Sequence, residues 1–248
     1  MPKAAMVLAA GLGTRMRPIT HHTPKPLVPV AGCALIDHAL DALHGFGIDR
    51  VVVNVHHMAD RMTDHLAKRP GPAVAISDET EMLLDSGGGI VKALPLLGDG
   101  PFLILNADTF WLEAPGGGLG NLERLSAAWD RKPSDIAVMT TRPDQIVGYD
   151  GRGDFLFGDD GRLRRFDGVS PDPVIYPGVA IIDPAIFEAA PPGAFSLNLC
   201  FDRAIARGRF HGVAAGGLWL TVGTPEAIGA AEAAIESFRH AAPSPDRA

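Results

Sequence analysis

The sequence is poor in cysteine, with two residues, Cys33 and Cys200, in a chain of 248. Their spacing suits neither a metal cluster nor a disulfide framework, so they read as buried thiols in a reducing compartment. Positive charge is also short. Lys and Arg total 22 against 29 Asp and Glu, a formal net charge of −7, which argues against the basic stripe of a nucleic-acid-binding surface. A phosphate site stays open, because local cations decide it. No apolar run approaches the roughly 20 residues that cross a bilayer. Lys3 followed by small apolar residues imitates a secretory leader, but Gly11, Gly13, Arg15 and Arg17 interrupt it. A buried strand entering a glycine turn fits better. There is no internal repeat. What is left is a cytoplasmic globular chain, long enough to build its core without disulfides.

Apolar runs alternate with helical patterns through the first half. Strands are expected at 4–10, 51–55, 74–76, 102–105 and 136–139, with helices at 35–46, 59–67 and 90–94, the last ended by Pro95. The class is α/β: a Rossmann-like, mostly parallel sheet with helices on both faces. Ligands of such sheets bind beyond the carboxyl ends of the strands. From about residue 142 the pattern changes. A hairpin is expected at 155–157 and 163–166 around Asp159-Asp160-Gly161-Arg162, then a long strand at 174–182, a short helix from Pro184, and helices at 197–206 and 225–238. The segment 115–118 reads as a flexible loop and the tail from 241 as frayed. One domain over 1–240 is expected, with a nucleotide-binding half to about 142 and a sugar-phosphate half from 143.

Two common phosphate motifs are missing. Met16 stands where a dinucleotide fingerprint needs its third glycine, and no Walker loop is present. What stands there instead is Leu8-Ala9-Ala10-Gly11-Leu12-Gly13-Thr14-Arg15, then Thr23-Pro24-Lys25-Pro26. Gly11 and Gly13 let the backbone approach a ligand and aim N–H groups at it. Arg15 offers a fork to phosphate oxygens, and Lys25 a point charge between two prolines.

These motifs, over residues 3–232, resemble the sugar-1-phosphate nucleotidyltransferases, whose signature is a first strand, G-x-G-T-R and P-K-P. The resemblance implies the nucleotide-diphospho-sugar transferase (GT-A-like) fold, an NTP and a sugar 1-phosphate as partners, Mg²⁺ as cofactor, and a monomer or homodimer. It puts Ala9, Ala10, Gly11, Gly13, Thr14 and Asn106 on the nucleotide, Arg15 on the leaving pyrophosphate and Lys25 on the phosphate under attack. Asp108, at the end of an apolar strand, becomes the metal ligand; taken alone it reads as an N-cap or turn residue. Gly87, Gly88 and Gly89 read locally as a flexible loop or a space for a flat base, and the family favours the base. The family's second metal-binding Asp, in W-x-D-x-G-T-P, is here Thr221 within Trp219-Leu220-Thr221-Val222-Gly223-Thr224-Pro225. A hydroxyl adds no charge, so a weak ligand is expected there.

On the sugar side Gly148, Asp154, Gly178, Arg165 and Asn198 are the candidates, with Arg164 or Arg165 for the phosphate. His56 and His57 lack a metal pattern and read as structural. Leu83 to Gly89, Gly153-Asp154-Phe155 and Val222 to Glu226 most resemble the short bacterial members that use UTP and N-acetylmuramate 1-phosphate in cell-wall sugar recycling. Mannose 1-phosphate with GTP and glucose 1-phosphate with dTTP remain alternatives. So does a regulator that has lost catalysis, for which Thr221 speaks.

Overall fold

The computed structural model describes residues 1–114, 118–131 and 133–241. The tail from 242, and most of the expected loop at 115–118, lie outside the described residues. Among the described residues fourteen strands are found in chain order: β1 Ala4–Leu8, β2 Pro29–Val30, β3 Cys33–Ala34, β4 Arg50–Val55, β5 Val74–Asp78, β6 Phe102–Asn106, β7 Thr109–Leu112, β8 Ile136–Thr140, β9 Ile146–Val147, β10 Phe155–Phe157, β11 Leu163–Arg165, β12 Val179–Ile182, β13 Phe210–Ala214 and β14 Leu218–Thr221. The helices are α1 Leu35–Phe46, α2 Ala59–Lys68, α3 Asp85–Leu97, α4 Asn121–Trp129, α5 Asn198–Ala206 and α6 Pro225–Ala241. None of them is long and apolar enough to cross a membrane, among the described residues.

The central sheet has seven strands in the order β13-β8-β12-β6-β1-β4-β5. All run one way except β12, which is antiparallel to both β6 and β8. Alternation along β1 explains why both faces are covered. Ala5 and Val7 point into one core with Ile36, Leu40 and Leu43 of α1, Met62 of α2 and Leu125 of α4. Ala4 and Met6 point into the other, with Ile90 and Ala93 of α3 and Phe201 of α5. Side chains on a strand alternate faces, so an unbroken apolar run is what a doubly covered sheet requires. The expected α/β architecture is therefore present.

A third cluster sets the site. Met16, Val28 and Val30 pack with Phe110 of β7, Leu220 of β14, Val222 and the α6 residues Ala227, Ala231 and Ile235. This packing fixes the loop after β1 against the small sheet β7-β14-β9.

Three expectations are corrected. The helix expected at 90–94 begins five residues earlier, at Asp85, and takes Gly87, Gly88 and Gly89 into its first turns. Pro95 does not end it. Proline lies within the last turn, and the buried Leu97 follows it on the core face. The strand expected at 174–182 is broken. Val174 and Ile175 make isolated bridges to Phe155 and Thr141, and the ladder resumes only at Val179, because Pro177 has no N–H and Gly178 sits at φ +92°.

Candidate active site

A cavity of about 530 Å³ opens where β1 and β6 end. Leu8, Ala9, Ala10, Gly11, Gly13, Thr14, Arg15, Lys25, Asn106 and Asp108 all line it, so the two cation-bearing segments and the β6 carboxylate share one space. Gly13 is left-handed at φ +61°, and a Cβ there would lie 2.9 Å from both Lys25 Cβ and Thr20 Cγ2. Only glycine lets the loop lie this close to the Lys25 segment. Thr20 Oγ1 donates to the Gly13 carbonyl at 2.8 Å and fixes that approach.

Across the cavity, Lys25 Nζ donates to Asp108 Oδ2 at 2.5 Å. Asp108 sits in the turn between β6 and β7, and its carbonyl accepts from Val222 N at 2.9 Å, which brings the segment after β14 to the rim. Gly223 also lines the cavity, and a Cβ there would touch the Arg15 guanidinium at 3.5 Å.

Thr221 stands beside this rim rather than in the cavity wall. It is the register partner of Thr109, and the two hydroxyl oxygens are 3.0 Å apart. Asp108 therefore supplies the carboxylate at this end of the cavity. Among the described residues no group of three or more His, Cys, Asp or Glu could hold a metal ion. A single carboxylate beside a phosphate loop does not suit zinc. It does suit a hard cation that keeps waters and takes its remaining ligands from phosphates.

A buried relay, not foreseen from the sequence, ties the loop to the opposite wall. Ala9 N donates to Asn54 Oδ1 at 2.7 Å, and Asn54 Nδ2 donates to Glu79 Oε1 at 2.7 Å. Glu79 Oε2 accepts from Leu84 N at 3.0 Å. Glu79 is wholly buried, and its charge is met by these donors alone among the described residues. The one signal available was a polar Asn inside the apolar run Val51-Val52-Val53-Asn54-Val55.

Gly87, Gly88 and Gly89 do not line the cavity; Leu83, Asp85 and Ser86, just before them, do. The N–H groups of Gly87 and Gly88 both donate to the Phe195 carbonyl, and all three glycines are buried. A Cβ on Gly87 would meet the Phe195 ring at 2.3 Å, and one on Gly88 the Gly193 carbonyl at 2.4 Å. Gly87 and Gly88 permit close packing of α3 against the 193–195 segment.

A second cavity, of about 280 Å³, adjoins the first and shares Leu8, Ser86 and Asn106 with it. Asp154, Arg165 and Asn198 line it, joined by Tyr149 and Tyr176, which the sequence did not single out. Burial raises the Asp154 carboxyl above its ordinary value; Asp154 Oδ2 accepts from Tyr176 N at 2.9 Å. Burial likewise raises the Tyr176 hydroxyl far above the usual phenol range. Gly178 and Gly148 are not in this wall. Gly178 lies behind Asn106, whose Nδ2 would be 2.6 Å from an added Cβ, and Gly148 lies against the Thr221 carbonyl. Arg164 is exposed and faces Asp167 at 3.5 Å.

His56 Nδ1 and His57 Nε2 meet the backbone carbonyls of Glu79 and Thr20, at 2.7 and 3.1 Å. Both cysteines are free, and burial pushes the Cys200 thiol up to about 11.

The profile of the MobA-like NTP transferase domain matches residues 5–216. N-acetylmuramate alpha-1-phosphate uridylyltransferase of Caulobacter vibrioides is 45% identical over 238 residues, covering 94% of this chain and 97% of that protein. The chain belongs to the sugar-1-phosphate nucleotidyltransferases. The enzyme of the same name from Neisseria meningitidis serogroup B is 32% identical, covering 89% of this chain and 93% of its own. Among solved structures, the inositol-1-phosphate CTP transferase from T. maritima superposes with a TM-score of 0.77 over 98% of both chains, at 16% identity. That likeness concerns the fold. The catalysed reaction is thus of the nucleotidyl-transfer class.

Proposed function

We propose that this chain transfers the uridylyl group of UTP to N-acetylmuramate 1-phosphate, forming a UDP-sugar and pyrophosphate. The observation that carries the reading is the convergence of Arg15, Lys25 and Asp108 on one cavity that shares Leu8, Ser86 and Asn106 with a second. The substrate names come from the Caulobacter and Neisseria relatives, which cover nearly the whole chain.

The nucleotide takes the first cavity and the sugar the second, so residues to about 142 serve the nucleotide and those from 143 the sugar. Ala9, Ala10, Gly11, Gly13 and Thr14 carry the triphosphate. A sugar phosphate is largely a dianion at neutral pH, its second pKa being about 6. It needs no strong base. Its oxygen forms a bond to the α-phosphorus as the bond to pyrophosphate breaks, and the electron pair leaves with pyrophosphate. The barrier is repulsion between anions and loss of alignment, which Arg15 on the leaving group and Lys25 on the α-phosphate offset. Asp108 would hold Mg²⁺, which would neutralise the charge developing on the phosphates. The reading places the enzyme in the cytoplasm, in recycling of cell-wall sugar, as a monomer or homodimer.

A pyrophosphate-release assay crossing UTP, GTP, dTTP and CTP with N-acetylmuramate, mannose and glucose 1-phosphates tests it. UTP with N-acetylmuramate 1-phosphate should give the highest kcat/KM, dependent on Mg²⁺. A higher value for GTP with mannose 1-phosphate, or dTTP with glucose 1-phosphate, would overturn it.

A further inference from the structure

Resting on that substrate reading, we propose that Arg165 recognises the lactyl carboxylate of the sugar, the group that separates N-acetylmuramate from neutral N-acetylhexosamines. The substrate then has two anionic ends, and the two cavities divide them. Its phosphate must reach the α-phosphorus beside Lys25, in the first cavity. Arg165 lines only the second. It is therefore placed for the other end of the molecule, not for the phosphate.

The guanidinium is fixed and partly unspent. Nε donates to Asp202 Oδ1 at 2.7 Å, and Nη2 donates to the Asn198 carbonyl at 3.2 Å and to Asn198 Oδ1 at 3.0 Å. A guanidinium has five N–H donors, so the pair on Nη1 remains, with no acceptor among the described residues. The group lies over the Phe155 ring at 4.9 Å from its centroid and near Phe201 at 5.9 Å. These aromatic faces hold it without competing for its donors. Asp202 is more than half exposed, so water screens its charge. Arginine is weakly hydrated and planar, which suits capture of a carboxylate. Asp154, the cavity's own carboxylate, lies within electrostatic reach of Arg165; its place is with the sugar's hydroxyl donors, and the free Nη1 donors of Arg165 are left for the lactyl group.

The test compares N-acetylmuramate 1-phosphate with its lactyl methyl ester, which removes the charge and adds one methyl group. The native enzyme should prefer the acid by about 30-fold in kcat/KM, the range of a charge-assisted hydrogen bond. In Arg165→Gln the acid-to-ester ratio should fall below about threefold, and in Arg165→Lys it should be intermediate. Both substrates are measured on the same protein, so a general loss of fold cancels from the ratio. A native enzyme indifferent to the ester, or a ratio that survives in Arg165→Gln, overturns the proposal. If the native enzyme turns over neither compound while using another sugar phosphate, the substrate reading itself has failed, and this proposal with it.

Discussion

Lys25 and Asp108, 83 positions apart in sequence, meet across the cavity with Nζ 2.5 Å from Oδ2. Neither is deeply buried: their side chains are 13% and 31% exposed. The pair neutralises the two groups that a nucleotide and a cation would each need. Under the proposed function a triphosphate would take the ammonium as its partner and leave the Asp108 carboxylate to a cation. The packing of Met16, Val28 and Val30 against Phe110 and Leu220 holds the loop after β1 against the small sheet.

The first prediction follows directly. Lys25→Ala should lower kcat by about 100-fold or more, the scale of losing one preorganised electrostatic contact. The melting temperature should move by only a few degrees, because Asp108 stays partly solvated. Steady-state kinetics and a thermal melt on one preparation decide it, and near-normal turnover would remove Lys25 from the mechanism.

Thr221 lies one strand pairing away from Asp108, beside Thr109. Thr221→Asp should add a charged oxygen ligand at the rim and lower the Mg²⁺ concentration for half-maximal rate by about tenfold, since ligand charge sets affinity for hard cations. An unchanged Mg²⁺ titration would mean that position 221 does not face the ion.

Gly88→Ala separates packing from base recognition. Its Cβ would press on the Gly193 carbonyl at 2.4 Å, a backbone atom that cannot swing aside. Overpacking of this kind costs about 1–3 kcal/mol. The melting temperature should drop, with the KM for UTP little changed in the protein that remains folded. A large rise in KM at unaltered stability would return the glycine to the base pocket.

Asp154 carries a pH signature. Burial raises its folded pKa above the ordinary 3.8. The folded form resists ionisation more than the unfolded chain does, so this group's contribution is full below 3.8 and is lost as pH rises through the raised value. Relative to Asp154→Asn, the native protein should lose stability as pH rises above 3.8. Urea midpoints of both proteins at several pH values measure the difference. A difference that stays flat, or grows with pH, contradicts the burial argument.

Much of this was legible because single physical rules govern it. The α1 helix announces itself by Leu35, Ile36, Leu40 and Leu43 at helical spacing, and the phosphate loop by two glycines, an arginine and a Pro-Lys-Pro segment. What was not legible depended on tertiary contacts. Gly87, Gly88 and Gly89 read as a loop because glycine disfavours helices, but the Phe195 carbonyl and ring select them for close approach. The Asn54–Glu79 relay joins residues 25 apart whose pairing no local pattern encodes. The short strands β7 and β14 exist through their mutual ladder, with Trp111 stacked on Trp219 at 4.7 Å, not through any periodicity of their own.

The most direct test of the central claim is a crystal structure of the enzyme with UTP and Mn²⁺ in place of Mg²⁺, located by its anomalous signal. The claim predicts the ion on the Asp108 carboxylate and the triphosphate over Gly11 to Arg15, with Lys25 turned from Asp108 to phosphate. An ion bound away from Asp108, or phosphates lying outside the cavity shared by Arg15 and Lys25, would contradict it.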